Sequence, residues 1–254
     1  MKEKYFEKEK ISIITPLYNG EEFITHAIHS VINQTYENWE LIIIDDFSKD
    51  KSFEIICDYA KKDKRIQIIK NEKNLGVVET RNKGIREATG RYIAFLDSDD
   101  TWNNNKLEKQ ITFMKEKNAS ISCTDYMRVD KNNKDKKRIR VKEEITYHML
   151  LKTNMVGCLT VIYDTEKIGK KYFKEAKKSE DYILWLDIIK ETHLIYGLKE
   201  VLAYYRVLTN SRSSNKLEVM KTQWLIYRKH ENLSKIKAAY FFIIYLIKGV
   251  QKII

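Results

Sequence analysis

The 254 residues are 43% hydrophobic, enough for one substantial core or a core with an appendage. With 47 Lys and Arg against 36 Asp and Glu, the formal charge is +11, which suits anionic partners: nucleic acid, phosphate-bearing substrates or an acidic membrane. Three dispersed cysteines (Cys57, Cys123, Cys158) and five unclustered histidines match no zinc or redox spacing, so small buried thiols and surface imidazoles are expected.

The chain opens on mostly charged residues without a secretory signal. Ile11 to Thr15 reads as a strand stopped by Pro16. Asn19 and Glu22 have the spacing of a capping box, followed by a helix carrying Phe23, Ile24, Ala27, Ile28, Val31 and Ile32. Glu40 to Ile44 is a second strand that ends in Asp45-Asp46, and Ser48 caps the next helix. Ile66 to Ile69 is a third strand. A helix from about Gly76 to Ala88 is expected to close at Gly90 in a left-handed conformation. Tyr92 to Leu96, a fourth strand, runs into Asp97-Ser98-Asp99-Asp100. Such alternation predicts an α/β fold with a parallel sheet and helices on both faces, whose ligands sit beyond the strand carboxyl ends. Pro16 to Asn19, Asp45-Asp46 and Asp97 to Asp100 should therefore meet in one crevice.

The second half is less regular. Ser120 to Val129 reads as a strand, and Lys131 to Lys142, with seven Lys/Arg and one Asp, as a solvated basic linker. Leu159 to Tyr163 is a further strand, with Thr165 capping a short helix. Ser179 can cap a helix that begins Glu180-Asp181. After Tyr204-Tyr205-Arg206-Val207, helices span about Lys216 to Leu233 and Lys235 to Lys252. The latter holds the longest apolar run, Ala238 to Ile247, about half a membrane span, bracketed by Lys235, Lys237, Lys248 and Lys252. It is expected to seat on an acidic membrane without crossing it, or else to pack on the core or a second subunit. A cytoplasmic protein follows.

Three carboxylates in four residues at a strand end repel unless a cation offsets them, and Mg²⁺ or Mn²⁺ does so with one or two carboxylates plus substrate phosphates. Neither a G-x-G-x-x-G nor a G-x-x-x-x-G-K-[ST] sequence is present, which disfavours a dinucleotide site and a P-loop. Tyr18, Asp45 and Asp46 are the groups available to a nucleotide. A nucleotidyltransferase would want a basic glycine-rich loop near the amino terminus. A nucleic-acid binder would want aromatics among its basic residues, and Lys131 to Lys142 has none, so no nucleic acid is expected.

In order, Ile13-Ile14-Thr15-Pro16-Leu17-Tyr18-Asn19, Ser30 to Tyr36, Glu40 to Ser48, Asn74-Leu75-Gly76 with Arg81-Asn82, Gly90 to Asp100 and Glu180 to Leu186 resemble the family-2 glycosyltransferases of bacterial cell-surface polysaccharide synthesis. The likeness is densest from Ile11 to about Lys109 and continues from Asn154 to Ser213. It implies the GT-A fold over 1–215, with a nucleotide-sugar half (1–110) and an acceptor half (111–215), and a helical appendage over 216–254. It implies that Pro16, Tyr18, Asp45 and Asp46 bind uridine, that Asp97 and Asp99 hold the metal and donor diphosphate, and that Tyr205 and Arg206 lie near that diphosphate. Asp181 would be the catalytic base, with Glu180 and Trp185 lining or supporting the acceptor side. Family members often carry His two residues after that Arg, where this chain has Leu208. The implied reaction is inverting transfer of one sugar from a UDP-sugar to a glycan or lipid-linked glycan. The processive synthases are a poorer match, because the chain lacks a Q-x-x-R-W motif and membrane spans.

Overall fold

The computed structural model describes residues 9–176, 178–208 and 216–251. Its first half alternates β1 (Ile11–Leu17), α1 (Ile24–Ile32), β2 (Trp39–Asp45), α2 (Ser52–Lys62), β3 (Ile66–Lys70), α3 (Val77–Glu87) and β4 (Tyr92–Phe95). There follow β5 (Thr101–Trp102), α4 (Lys106–Glu116), β6 (Ile121–Val129), β7 (Asp135–Ile139), β8 (Glu144–Thr146) and α5 (Tyr147–Lys152). The remainder is β9 (Ile162–Asp164), α6 (Thr165–Ile168), α7 (Glu180–Thr192), β10 (Leu194–Arg206), α8 (Lys216–Leu225) and α9 (Lys235–Gln251). One sheet takes the order β3-β2-β1-β4-β9-β6-β10-β5, with β7 added to β6 and β8 to β10. It is parallel across β3-β2-β1-β4 and again between β6 and β10, while β9, β5, β7 and β8 join antiparallel.

Residues alternate between the two faces of the central strands, and both faces are apolar, as burial under two helical layers requires. Ile14, Ile42, Ile44, Ile93 and Phe95 face one core with α3 and α7 residues such as Ile85, Trp185 and Ile188. Ile13, Leu41, Ile43 and Ala94 face the other with Ile28 of α1, Ile56 of α2 and Ile111 of α4. Ile226, Tyr227, Ala238 and Phe241 belong to the first core. These four residues carry that core into the carboxyl-terminal region. A further clasp is polar: Lys190 of α7 pairs with Glu231 at 3.0 Å, and His230 Nε2 lies 3.0 Å from Asp187 Oδ1 of α7.

Several local expectations are corrected. Pro16 does not stop β1, which runs on to Leu17. β4 pairs with β1 only as far as Ile14, so Pro16 has a strand neighbour on one side only and its missing N–H breaks no ladder there. Asn19 and Glu22 form no capping box. Asn19 has a left-handed backbone (φ 49°) and accepts from Lys49 N, while the helix begins at Ile24 without a side-chain cap. Ser48 accepts from Asn19 N instead of capping α2, and α6 is capped by Asp164, one residue before Thr165. The basic "linker" contains strand β7. Gly90 is not a left-handed stop; only Gly76 and Gly169 among the described glycines have positive φ.

Gly90 is needed for close approach. A Cβ there would lie 2.5 Å from Lys10 O and 2.7 Å from Ser12 N, both backbone atoms. Gly90 N donates to Ser12 Oγ (2.8 Å), and Ser12 Oγ donates to the buried Glu40 (2.6 Å). Gly90→Ala is expected to lower unfolding free energy by roughly 1–3 kcal/mol, read as a reduced urea midpoint with unchanged slope.

Candidate active site

A cleft of about 830 Å³ opens at the carboxyl ends of β1, β2 and β4, the place a parallel α/β sheet offers a ligand. One wall includes Pro16, Tyr18 and Asp46. Tyr18 is 51% exposed, a ring free to stack. Asp46 is 4% exposed and organises the opposite loop: Oδ1 accepts from Leu75 N (2.8 Å) and Asn71 Nδ2 (2.9 Å), and Oδ2 from Gly76 N (2.9 Å). The positive φ of Gly76 (82°) turns that loop into α3. Asp45 is not in the cleft. It is fully buried at the end of β2, where Oδ1 accepts from Ser48 N (3.3 Å) while Oδ2 has no hydrogen-bond partner among the described residues.

The floor is acidic. Asp97, Ser98, Asp99 and Asp100 line it. Asp99 is pushed up to about 6 by burial and then by the charge of Asp97. Asp100 is raised further by burial and by both neighbours, and its Oδ1 accepts from Arg206 N (2.8 Å). Two cations restrain this crowd. Arg81 of α3, 5% exposed at its side chain, reaches Asp97 Oδ1 at 2.6 Å and Glu180 Oε1 at 3.3 Å. Arg206 donates through Nε to Asp99 O (2.9 Å) and through Nη1 to Asp130 O (3.2 Å) and Lys131 O (2.9 Å), with its guanidinium over the Phe23 ring. Arg206 is 2% exposed and does not line the cleft; its hydrogen bonds tie the acidic turn in place.

Opposite this floor α7 begins. Ser179 occupies its N-cap with a left-handed backbone (φ 61°) and makes no side-chain cap. This turn delivers Glu180 and Asp181 to the cleft in the first turn of the helix. Asp181 is half-buried and pushed up to about 6, by burial first and then by Glu180, while Arg81 and Tyr182 N pull it back. Trp185 does not line the acceptor side. It is fully buried against Phe95 and Phe173, one turn below Asp181, and supports the helix from the core. Tyr126 and Tyr205, rings 6.2 Å apart, complete the far wall with Leu208.

Sequence reading placed Arg81 in a motif without a role, and Tyr126 not at all. Arg81 carried a usable signal, since a cation amid an apolar helical face needs buried partners. Tyr126 lies in an ordinary strand and carried none.

The residues fit a divalent ion. Asp97 and Asp99 face one cleft with repulsion unrelieved at Asp99, and a hard cation takes such carboxylates together with substrate oxygens. A second cluster, Asp187, His230 and Glu231, has ligand atoms close enough for a metal, but Lys174, Lys190 and Tyr147 already supply its positive and donor partners.

The family model for glycosyl transferase family 2 matches residues 12–165. The chain is 41% identical over 247 residues to the putative teichuronic acid biosynthesis glycosyltransferase TuaG of Bacillus subtilis (strain 168), covering 96% of this chain and 98% of that protein. It is 37% identical to WfgD of Escherichia coli, named a UDP-Glc:alpha-D-GlcNAc-diphosphoundecaprenol beta-1,3-glucosyltransferase, covering 95% and 94%. S. aureus TarS 1-349 in complex with UDP superposes with TM-score 0.70 at 25% identity, over 93% of this chain and 70% of that one. The mannosyltransferase PcManGT of Pyrobaculum calidifontis, in complex with GDP-Man and Mn²⁺, shares the fold at TM-score 0.68 and 14% identity, over 90% and 66%. The chain belongs to glycosyl transferase family 2, has the GT-A fold, and is a glycosyltransferase of cell-surface polysaccharide synthesis.

Removing the Arg81 charge leaves Glu180 and Asp97 without their shared partner. Arg81→Met is expected to cost about 3 kcal/mol of stability, measured by denaturant unfolding. Arg81→Lys should recover only part of it, because one ammonium lacks the fork that reaches two carboxylates.

Proposed function

We propose, from that family membership, an inverting, metal-dependent, non-processive transfer of one sugar from a UDP-sugar to a hydroxyl of a lipid-linked glycan. The observation that carries it is that one cleft holds both Asp181 and the Asp97–Asp99 floor, with Arg81 bridging Asp97 to Glu180 beside the base. The UDP-bound TarS structure and the name of WfgD support the donor and acceptor classes.

Tyr18 stacks on the base and the loop held by Asp46 closes around it. Asp181 accepts the acceptor hydroxyl's proton as that oxygen bonds to the anomeric carbon from the face opposite the nucleotide. The anomeric bond to the diphosphate breaks, the pair leaves with nucleoside diphosphate, and configuration inverts. A divalent ion held by Asp97 and Asp99 would neutralise charge on the departing diphosphate. A base held near 6 is ionised at neutral pH yet still basic enough to assist.

The test pairs two substitutions. Asp99→Ala should abolish the Mn²⁺ enhancement of UDP binding in calorimetry, and an enhancement equal to wild type would overturn the metal assignment. Asp181→Asn should retain UDP binding while turnover falls roughly 10²–10⁴-fold. Because only ionised Asp181 accepts a proton, wild-type kcat/KM should rise with pH through about 6 and level above it. The variant should lose that limb, and a variant that keeps it would sink the assignment.

The membrane seat belongs to the same proposal. Among the described residues no helix is long and apolar enough to cross a membrane. On α9, Ala238 and Phe241 face the core, whereas Ile236, Tyr240, Ile243 and Ile247 form an exposed stripe. Lys235, Lys237 and Lys248 flank it and α9 has no acidic residue, which suits an anionic surface; Lys252 lies outside the described residues. Ile236→Glu with Ile243→Glu leaves the inward face intact and should abolish flotation with phosphatidylglycerol vesicles. Unchanged flotation would refute the seat.

A further inference from the structure

Beyond the far wall of the cleft the sheet continues into a cationic hollow that the transfer chemistry leaves unused. Tyr126 of β6 lines the cleft, and Arg128, two residues on, shares its face of the strand. Arg128 is in register with Tyr205 of β10 on one side and Lys137 of β7 on the other. A row across three strands thus leads from the cleft wall to the sheet edge.

The edge strand is locally rebuilt. Arg128 pairs with Lys137, but the next residue, Val129, pairs with Asp135, which leaves Lys136 as the extra residue of a bulge. Consecutive strand residues ordinarily point to opposite faces, and a bulge re-aims one of them. Here Lys136 and Lys137 both line one hollow of about 300 Å³, together with Arg128, Asp130 and Val207. Three cations meet a single carboxylate there, and Asp130 lies 3.2 Å from Lys136. Arg138, by contrast, lies outside the hollow and is bound to Asp125 at 2.7 Å. The hairpin is fastened to the active site, because Arg206 holds Asp130 O and Lys131 O with one nitrogen and Asp99 O with another. Tyr126 lies within electrostatic reach of both Arg128 and Asp181.

We propose that this hollow binds the phosphate groups of a diphosphate-linked acceptor, so that the glycan it carries extends past Tyr126 toward Asp181. A guanidinium fork with two ammonium groups suits phosphate oxygens, and the lining holds three cations to one carboxylate. The assignment rests on Asp181 as the base of a lipid-linked glycan transferase and adds what holds the link between lipid and sugar. Arg128, Lys136 and Lys137 are then binding residues, remote from the reacting carbon.

The experiment uses the full chain in EDTA, which removes the metal-dependent donor site. The probe is a short phenoxyalkyl diphosphate carrying N-acetylglucosamine, and the control is the same glycoside without phosphate. Arg128→Gln with Lys137→Gln should weaken the diphosphate probe at least roughly tenfold, leave the phosphate-free glycoside unaffected, and leave UDP binding with Mn²⁺ at the wild-type value. Equal affinity of variant and wild type for the probe overturns the proposal, as does a wild-type protein that does not distinguish probe from control. A parallel loss of UDP binding would assign the hollow to the donor's phosphates. Loss confined to phosphatidylglycerol vesicles would assign it to lipid headgroups, and either result refutes the proposal. Failure of the transferase reading shows separately, as a wild-type protein whose UDP binding gains nothing from Mn²⁺.

Discussion

Crowding of carboxylates is the constraint around which this molecule is arranged. Asp97, Asp99, Asp100, Glu180 and Asp181 converge on one cleft, and in isolation their repulsion would open it. Two buried guanidinium groups prevent that in different ways. Arg81 bonds carboxylates from both sides of the cleft, drawing the end of β4 toward the start of α7. Arg206 binds backbone carbonyls, so it fixes the path of the acidic turn while leaving the Asp99 carboxylate facing the cleft. Burial first, and then the repulsion that remains, holds Asp99 and Asp181 near 6.

The strand–helix alternation of the first half was legible because its signals are local. A β-branched run followed by acids reads as a strand end whether or not its neighbours are known, and such ends gather by topology. What was misread depended on partners distant in sequence. Pro16 looks like a stop, but its tolerance follows from where β4 ceases to pair. Gly90 looks like a helix terminator, although its need is set by Lys10 and Ser12, about 80 residues earlier. Asp45 and Asp46 are indistinguishable in the sequence; both are buried, and of the two only Asp46, just past the end of β2, lines the cleft. Arg206 was expected near a diphosphate and Trp185 to line or support the acceptor side; both lie buried outside the cleft lining, where chemistry-bearing side chains can also hold a site together. The basic segment was misjudged for a related reason: charge pattern alone cannot distinguish a solvated loop from an edge strand whose bulge aims the charges.

The carboxyl-terminal region joins these themes. Its helices bury Ile226, Tyr227, Ala238 and Phe241 in the core that also contains Trp185, and Lys190 ties α7 to Glu231. α7 therefore has Asp181 at one end and the carboxyl-terminal region along its flank.

The rigid mounting of α9 bears on reach as well as attachment. Ala238 and Phe241 fix the rotation of the helix about its own axis, so the outward stripe has one orientation relative to the cleft. On a membrane, such a mounting would confine the protein's search for acceptors to two dimensions and hold its cleft at a constant height. A glycan anchored in the same bilayer would meet Asp181 only when its terminal sugar stood at that height. Each added residue would lift the new terminus away from that height.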